Sequence, residues 1–270
     1  MSYLKVAMRL LYFTFLSFLL LAPSSFVRGK DERSNKQTTT LTVAAAADLR
    51  FVMPELVKIF QKKNLGIKIG VIYGASGKFY EQVIRGAPFD LFLSADKEYP
   101  SLLFSKGYSL GEPFKYAEGK LVLWMRKGLF TEEKRAQWKE LLLEDKVLKI
   151  ALANPERAPY GKAAKSALVK ALLWDRLKEK FVFGENVIQA FQFAEEKNAE
   201  VAFIPMSLAL SAKAKNEGDF VEVPQSFYSK IEQYGIILKK TLNPVIAQKF
   251  KDFLVSEESR VELKKYGLYP

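Results

Sequence analysis

A turn followed by a short apolar strand is predicted for Gly86-Ala-Pro-Phe-Asp-Leu-Phe-Leu-Ser-Ala-Asp96, where the apolar run stops abruptly at Ser-Ala-Asp. Shortly before it, Gly74-Ala-Ser-Gly77 separates a predicted strand, residues 67–73, from a predicted helix, residues 78–84. A break of small residues leaves several backbone N–H groups bare at the start of a helix, where the helix dipole favours an anion. The two segments therefore predict an α/β fold with turns that suit an anion.

The rest of the chain continues this alternation of strands and helices. Further strands are predicted at 41–47 and 91–93 and, after a change of pattern near Glu112, at 121–125, 149–153, 182–183, 200–204 and 234–238. Further helices are predicted at 49–60, 99–105, 132–143, 161–173, 187–196, 243–255 and 256–266. Strands that alternate with helices indicate βαβ units and parallel sheets. The pattern therefore predicts two α/β units.

The first 29 residues have the order of a secretory signal peptide. Lys5 and Arg9 precede an uninterrupted apolar run, residues 10–22, and residues 23–29 supply an exit that contains small residues. The run is short for a transmembrane helix, and an uncleaved membrane anchor is the alternative. Polar residues 30–38 follow and are predicted to be a disordered lead-in. We therefore expect a diffusible monomer in the periplasm or outside the cell.

Composition argues against several classes of protein. The chain contains neither cysteine nor histidine, which removes the usual zinc, haem and iron–sulfur sites and every Ser-His or Cys-His nucleophile. The formal charge is +12, and cleavage after Gly29 would remove Lys5, Arg9 and Arg28 and leave +9. A basic surface attracts anions. The lysines are scattered, without a basic run or an aromatic-basic signature, so we expect no nucleic-acid partner.

Small or turn-forming residues follow four predicted strands, and open α/β sheets bind ligands outside the carboxyl ends of their strands. The four turns are residues 46–48, 74–77, 154–161 and 185–187. Each alone could be an ordinary turn. In the second turn, Ser76 can donate to an anion beside the N–H groups of Gly77 and Lys78, and its structural role would be that of a helix N-cap. Asp90 and Asp96 are interpreted as turn caps, because no nucleophile or set of metal ligands accompanies them.

Four segments carry a resemblance to a known family. They are Ala44-Ala-Ala-Ala-Asp-Leu49, Gly74-Ala-Ser-Gly77, Arg85-Gly-Ala-Pro-Phe-Asp-Leu-Phe-Leu-Ser-Ala-Asp96 and Asn154-Pro-Glu-Arg-Ala-Pro-Tyr-Gly161. In this order they resemble the extracytoplasmic molybdate-binding proteins of ABC transporters, from about Leu41 to Tyr269. The resemblance implies a type II periplasmic-binding-protein fold: two α/β lobes joined by a two-strand hinge, with the ligand in the cleft.

The same resemblance implies lobe bounds and ligand residues. Lobe 1 would comprise residues 39–117 and 229–270, and lobe 2 residues 118–228. The implied oxyanion-binding residues are Ala47 and Asp48 in the first turn, Ser76 through its hydroxyl, and Tyr160 and Val187 through backbone N–H groups. Molybdenum would be held as molybdate, without direct metal ligands and without a cofactor.

Two residues depart from the family pattern. Asp48 stands where serine or asparagine is common, and a carboxylate facing a dianion would repel it. Either Asp48 turns away and offers only its N–H, or the hydroxyl contact is lost. Pro205 stands near a position where some members have a tyrosine, so a donor from that loop is in question.

The function that we expect is capture of molybdate, and of tungstate, for delivery to a membrane permease, without enzymatic activity. One alternative is a receptor for another small anion, such as sulfate, phosphate or a small carboxylate. A secreted enzyme would need two acids converging on one cleft, and the sequence offers no such pair. A basic adhesion protein would lose its affinity as salt increases.

Overall fold

The structure of the chain is a computed structural model that describes residues 39–270. The predicted signal peptide, residues 1–29, and the predicted lead-in, residues 30–38, lie outside the described residues. The strands are β1 Thr39–Ala46, β2 Ile67–Gly74, β3 Leu91–Ser94, β4 Phe114–Gly119, β5 Leu121–Arg126, β6 Ile150–Ala153, β7 Phe181–Gly184, β8 Val201–Pro205, β9 Gly218–Glu222 and β10 Ile231–Ile237. The helices are α1 Met53–Lys63, α2 Ser76–Ile84, α3 Glu98–Ser105, α4 Glu132–Arg135, α5 Trp138–Leu143, α6 Pro159–Lys170, α7 Trp174–Leu177, α8 Val187–Glu195, α9 Met206–Ala209, α10 Ala212–Glu217, α11 Pro244–Leu254 and α12 Glu257–Lys265.

The first sheet has the strand order β2-β1-β3-β10-β4. Strand β1 pairs in parallel with β2 and β3, whereas β10 runs antiparallel to β3 and β4. Both faces of β3 are covered: Leu91 and Leu93 pack with β1 and the C-terminal helices, and Phe92 packs with α2 on the other face. Burial on both faces explains why β3 reads as a continuous apolar run.

The second sheet has the order β7-β6-β8-β5-β9. Strand β6 pairs in parallel with β7 and β8, while β5 is antiparallel to β8 and β9. Its core includes Trp124 and Phe191, whose rings meet edge to face at 5.0 Å. The carboxyl ends of β1 and β2 in one sheet, and of β6 and β7 in the other, are followed by the helix starts that line the site described below.

Two short segments carry the chain between the sheets. Lys120 alone separates β4 from β5, and residues 223–230 separate β9 from β10. The hydroxyl of Tyr228 accepts a hydrogen bond from the backbone N–H of Leu121 at 3.0 Å and so ties the two crossings together. These crossings form the two-strand hinge, while the exact lobe bounds, 39–117, 118–228 and 229–270, stay a prediction.

The structure corrects some element predictions. The helix predicted over residues 132–143 is two short helices, α4 and α5, because Gln137 has φ −106° and ψ 73°, outside the helical region. Strands β4 and β9 were not predicted from the sequence. Among residues 39–270, no helix combines the length and the hydrophobicity that crossing a membrane requires.

Candidate functional site

Four helical starts, two from each lobe, surround one cavity between the sheets. They are a 3-10 turn at Ala47–Leu49 after β1, and the starts of α2, α6 and α8. All five residues predicted to bind an oxyanion line this cavity: Ala47, Asp48, Ser76, Tyr160 and Val187. The rest of the lining is Ala46, Gly74, Ala75, Ala95, Ala158, Pro159 and Asn186. The fold therefore brings together the turns that the sequence placed far apart.

The cavity is small and is lined without cations. The volume open to the centre of a water molecule is about 10 Å³, so the cavity has room for about one water molecule. Among the residues that the structure describes, no lysine or arginine lines it, and Asp48 is the sole acidic residue of the lining. Hydrogen-bond donors there come from backbone N–H groups and uncharged side chains, which cost less to desolvate than a buried cation.

Ser76 is the first residue of α2 and is 1% exposed. Its Oγ accepts a hydrogen bond from the N–H of Ala95 at 3.1 Å, which leaves the hydroxyl hydrogen available for a ligand. The alternative role as N-cap is wrong, because Ala75 occupies that position and no side-chain cap bond is present. Ser76 is therefore oriented by β3 rather than by its own helix.

Gly77 does not offer its N–H to the cavity in this structure. Its N–H instead donates to the carbonyl oxygen of Arg157, in the opposite lobe, at 2.9 Å. A Cβ at position 77 would lie 3.0 Å from that oxygen and 2.5 Å from the Tyr99 hydroxyl. Glycine is therefore what allows the lobes to approach here, and the expected anion contact of the Gly77 N–H is absent from this arrangement.

The starts of α8 and α6 leave their first N–H groups for the cavity. Asn186 caps α8, and its side chain accepts from the N–H groups of Ile188 and Gln189 at 2.9 and 3.2 Å. The N–H of Val187, the first residue of the helix, is not taken up by this cap. In α6 the first residue is Pro159, which has no N–H, so Tyr160 supplies the first donor of that helix.

The side chain of Tyr160 points toward the hinge. Its hydroxyl lies 3.2 Å from Nε2 of Gln233 on β10. A Cβ at Gly119, the last residue of β4, would lie only 1.9 Å from that hydroxyl. Gly119 therefore makes room for the hydroxyl beside β4, and the tyrosine side chain links lobe 2 to β10 through Gln233, while its backbone faces the cavity.

Asp48 is 1% exposed and its carboxyl group is half satisfied. Oδ2 accepts a hydrogen bond from Nε2 of Gln233, whereas Oδ1 has no partner among the described residues. Burial raises the pKa of Asp48 to about 6, against the opposing hydrogen bond from Gln233 and the smaller opposing effects of its own backbone N–H and of the nearby Tyr160 hydroxyl, neither of which forms a hydrogen bond with Oδ1. The carboxyl group is thus turned partly toward the hinge, and the backbone carbonyl of Asp48 accepts from Ser207 Oγ at 2.8 Å.

Gln233 and Ser207 were missed by the sequence analysis. Gln233 lies inside a strand with no small-residue turn nearby, so no local signal marks it. Ser207 follows Pro205, which ends β8 and has no backbone N–H to donate. The loop after β8 therefore contacts the site through Ser207, which supports the turn that carries Asp48.

Within the described part of the chain, three ion pairs cross the cleft around the cavity. They are Lys78 with Glu185, Glu81 with Arg157 at 3.6 Å, and Glu98 with Lys162 at 2.7 Å. All six side chains are substantially exposed, so each pair contributes little to stability and is screened by salt. Their effect is to bring opposite charges of the two lobes together at the rim.

Asp90 and Asp96 both have structural roles, but the predicted role of turn cap fits Asp96, whereas Asp90 bonds to residues that are distant in the chain. The Asp90 carboxylate accepts from the backbone N–H of Thr42 at 2.7 Å and from the hydroxyl of Thr241 at 2.6 Å. Asp96 accepts from the backbone N–H of Tyr99 at 3.1 Å, and burial raises its pKa to about 6. Neither residue lines the cavity.

Comparison with known proteins gives the family. A family model described as bacterial extracellular solute-binding protein matches residues 41–269. The chain belongs to this family. The match covers almost all of the part of this solute-binding protein that the structure describes, including both lobes and all four turns of the cavity.

Two relatives of this solute-binding protein are named molybdate-binding protein ModA. The protein of Rhodobacter capsulatus is 36% identical over 228 residues, which cover 83% of this chain and 87% of the relative. The protein of Azotobacter vinelandii is 34% identical over 232 residues, with coverage of 86% and 90%. These matches confirm the resemblance that the four sequence segments indicated.

A solved structure shares the fold. The Azotobacter vinelandii periplasmic molybdate-binding protein superimposes with a TM-score of 0.79 at 30% sequence identity, and the match covers 85% of this chain and 99% of that chain. The predicted fold of two α/β lobes joined by two strands is therefore confirmed.

Proposed function

We propose that this solute-binding protein captures molybdate, and also tungstate, in the cavity between its lobes and delivers it to an ABC transporter permease. The names of its relatives support the ligand class. A further relative, from Bacillus subtilis, is named putative ABC transporter substrate-binding lipoprotein and supports the link to a transporter. The proposal includes that the protein acts outside the cytoplasm, as a monomer, without catalysis and without a cofactor.

The observation that carries the proposal is the meeting of four helical starts at a cavity without cations. Helix starts present N–H groups and a positive field, and both favour a tetrahedral anion. Under the proposal, Ser76 donates through its hydroxyl, and Tyr160 and Val187 donate through their backbone N–H groups. Ala47 and Asp48 close the site from the first turn.

Selection against sulfate follows from the rigidity of these donors. They are fixed by β1, by α2, by α6 and by α8, so the distances between them are set by the fold. Under the proposal, molybdate widens the cavity until all donors contact it, and a smaller anion would then fail to reach all of them and would leave buried donors without partners, which is costly. The net charge of +12 attracts anions of either kind and therefore speeds capture without selecting between them.

Calorimetric titration of the purified mature protein with molybdate, tungstate, sulfate and phosphate tests the proposal. We expect one molybdate or tungstate to bind per chain, and sulfate and phosphate to bind far more weakly. Equal or tighter binding of sulfate or phosphate would favour the alternative receptor. A folded protein that binds none of the four anions would disprove the proposed function.

A further inference from the structure

Asp48 lines the cavity, and its buried carboxyl group has one oxygen without a hydrogen-bond partner among the described residues. Its Oδ2 is occupied by Gln233, and its Oδ1 has no partner among the described residues. Asp48 lines the cavity and is 1% exposed. A buried acceptor without a donor costs free energy, so the free oxygen calls for a partner that the protein does not provide.

Among residues 39–270, no positive charge compensates this acid. The groups that face its carboxyl are neutral: Tyr160 from α6, Tyr116 from β4 and Gln233 from β10. Ser207 from α9, also neutral, contacts only the backbone carbonyl of Asp48. Burial raises the pKa of both tyrosines well above the ordinary value, so neither becomes charged near neutral pH.

The remaining neighbouring elements do not supply a cation either. Arg50, two residues after Asp48, places its guanidinium over the ring of Tyr73 on β2 at 5.4 Å, and it is not among the groups that shift the pKa of Asp48. Helix α8 carries Glu195 at its far end, paired with Lys213. Burial alone already favours the protonated acid, and a doubly charged anion in the cavity adds a like charge that favours it further.

We propose that Asp48 holds the captured oxyanion as a neutral carboxylic acid, donating a hydrogen bond from Oδ1, and that binding therefore takes up a proton from solvent. This inference rests on the proposed function. The acid then replaces the serine or asparagine donor expected at this position. Its hydrogen bond to an oxyanion is charge-assisted and therefore stronger than one between neutral groups.

The proposal predicts a pH dependence with a definite sign. The pKa of Asp48 is about 6 in the free protein and higher in the complex, so between these two values the complex binds more protons than the free protein does. Affinity is therefore greatest below about pH 6 and decreases as pH rises, by up to about tenfold per pH unit. Above the pKa that Asp48 has in the complex, the affinity no longer changes with pH.

Calorimetry of the wild-type protein with sodium molybdate tests this. Titrations are run at one pH near 7.5 in buffers that differ in ionisation enthalpy. The observed binding enthalpy should vary with the buffer in the direction of proton uptake, with about one proton per molybdate. The dissociation constant, measured between about pH 7 and pH 8.5, should rise with pH.

Two variants assign the proton. Asp48→Asn keeps a donor at the same place but cannot titrate, so its binding enthalpy should not depend on the buffer and its affinity should not depend on pH. Asp96→Asn is the matched control, because Asp96 is also a buried acid with a raised pKa but does not line the cavity. Its proton uptake should equal that of the wild type.

The outcomes separate the two proposals. If the folded wild-type protein binds no molybdate at any pH, the proposed function fails. If it binds molybdate with buffer-independent enthalpy and constant affinity, the function stands and the inference about Asp48 is wrong. Loss of proton uptake in Asp96→Asn, with uptake retained in Asp48→Asn, would also overturn it.

Discussion

The backbone N–H of Gly77 donates to the carbonyl oxygen of Arg157 across the cleft at 2.9 Å. This bond joins the first turn of α2 in one lobe to the segment before α6 in the other. It lies beside the cavity and can form only when the lobes are together. Closure of the cleft and completion of the site are therefore coupled through backbone atoms, whose positions do not depend on side-chain rotamers.

Gly77→Ala should weaken molybdate binding by disfavouring the closed arrangement. The added Cβ would lie 3.0 Å from the Arg157 oxygen and 2.5 Å from the Tyr99 hydroxyl. Overpacking of this kind costs about 1–3 kcal/mol, or roughly 5- to 150-fold in affinity. Titration calorimetry measures the affinity, and small-angle scattering should show less compaction on ligand addition than in the wild type.

Gly70→Ala is the control for that variant, because a Cβ at position 70 in β2 would meet only the Leu41 carbonyl oxygen at 3.9 Å. It should bind molybdate like the wild type. Wild-type affinity in Gly77→Ala would show that this contact does not limit closure.

Ser76→Ala should weaken molybdate binding by about 1.5–3 kcal/mol, the range for a hydrogen bond to a charged group. It should also lower the free energy of unfolding, because the N–H of Ala95 loses its acceptor.

Ser211→Ala is the control for that variant. It removes a buried serine that caps α10, away from the cavity, and should lower the free energy of unfolding by about 1 kcal/mol with unchanged binding. Titration and thermal melting of both variants separate the effects, and tight molybdate binding by Ser76→Ala would remove Ser76 from the site.

Tyr160→Phe should affect stability more than binding. The hydroxyl contacts Gln233, whereas the proposed donor to the anion is the backbone N–H, which the substitution keeps. We expect a loss of about 1 kcal/mol in unfolding free energy and a change in affinity of less than about threefold.

Tyr116→Phe is the control for the effect on stability, because it also removes a buried hydroxyl, one that donates to the Ser94 carbonyl oxygen at 3.0 Å. A large loss of affinity in Tyr160→Phe alone would mean that the hydroxyl takes part in binding.

Asp48→Asn should stabilise the ligand-free protein near neutral pH. The pKa of Asp48 rises from 3.8 to about 6 on folding, so the folded state binds the proton more tightly and loses stability as pH rises from about 4 to about 6. A shift of about two units corresponds to about 3 kcal/mol at pH 7.

Urea unfolding of the wild type and of Asp48→Asn at about pH 4.5 and pH 7 measures this difference, which should be much larger at pH 7. Asp175→Asn, at an exposed position in lobe 2, should show little difference at either pH. An Asp48→Asn protein whose stability tracks the wild type at both pH values would contradict the raised pKa.

The first turn and the start of α2 could be predicted from the sequence because their geometry is local. Alanines run from the end of β1 to Asp48. The small residues Gly74-Ala-Ser-Gly77 favour a tight junction between a strand and a helix. Such short-range preferences are readable without the fold. The same reasoning failed for residues 132–143, where the apolar spacing suggested one helix and Gln137 interrupts it.

The sequence by itself determined the alternation of strands and helices, the four turns of small residues and the family resemblance. Only the tertiary structure decided what surrounds Asp48. Gln233 is 185 residues away in the chain and Ser207 is 159 residues away, yet both bond to it. Such contacts depend on how two separately built sheets meet at a hinge. No local propensity encodes that meeting, because the packing of the two lobes as a whole sets the distance between these residues.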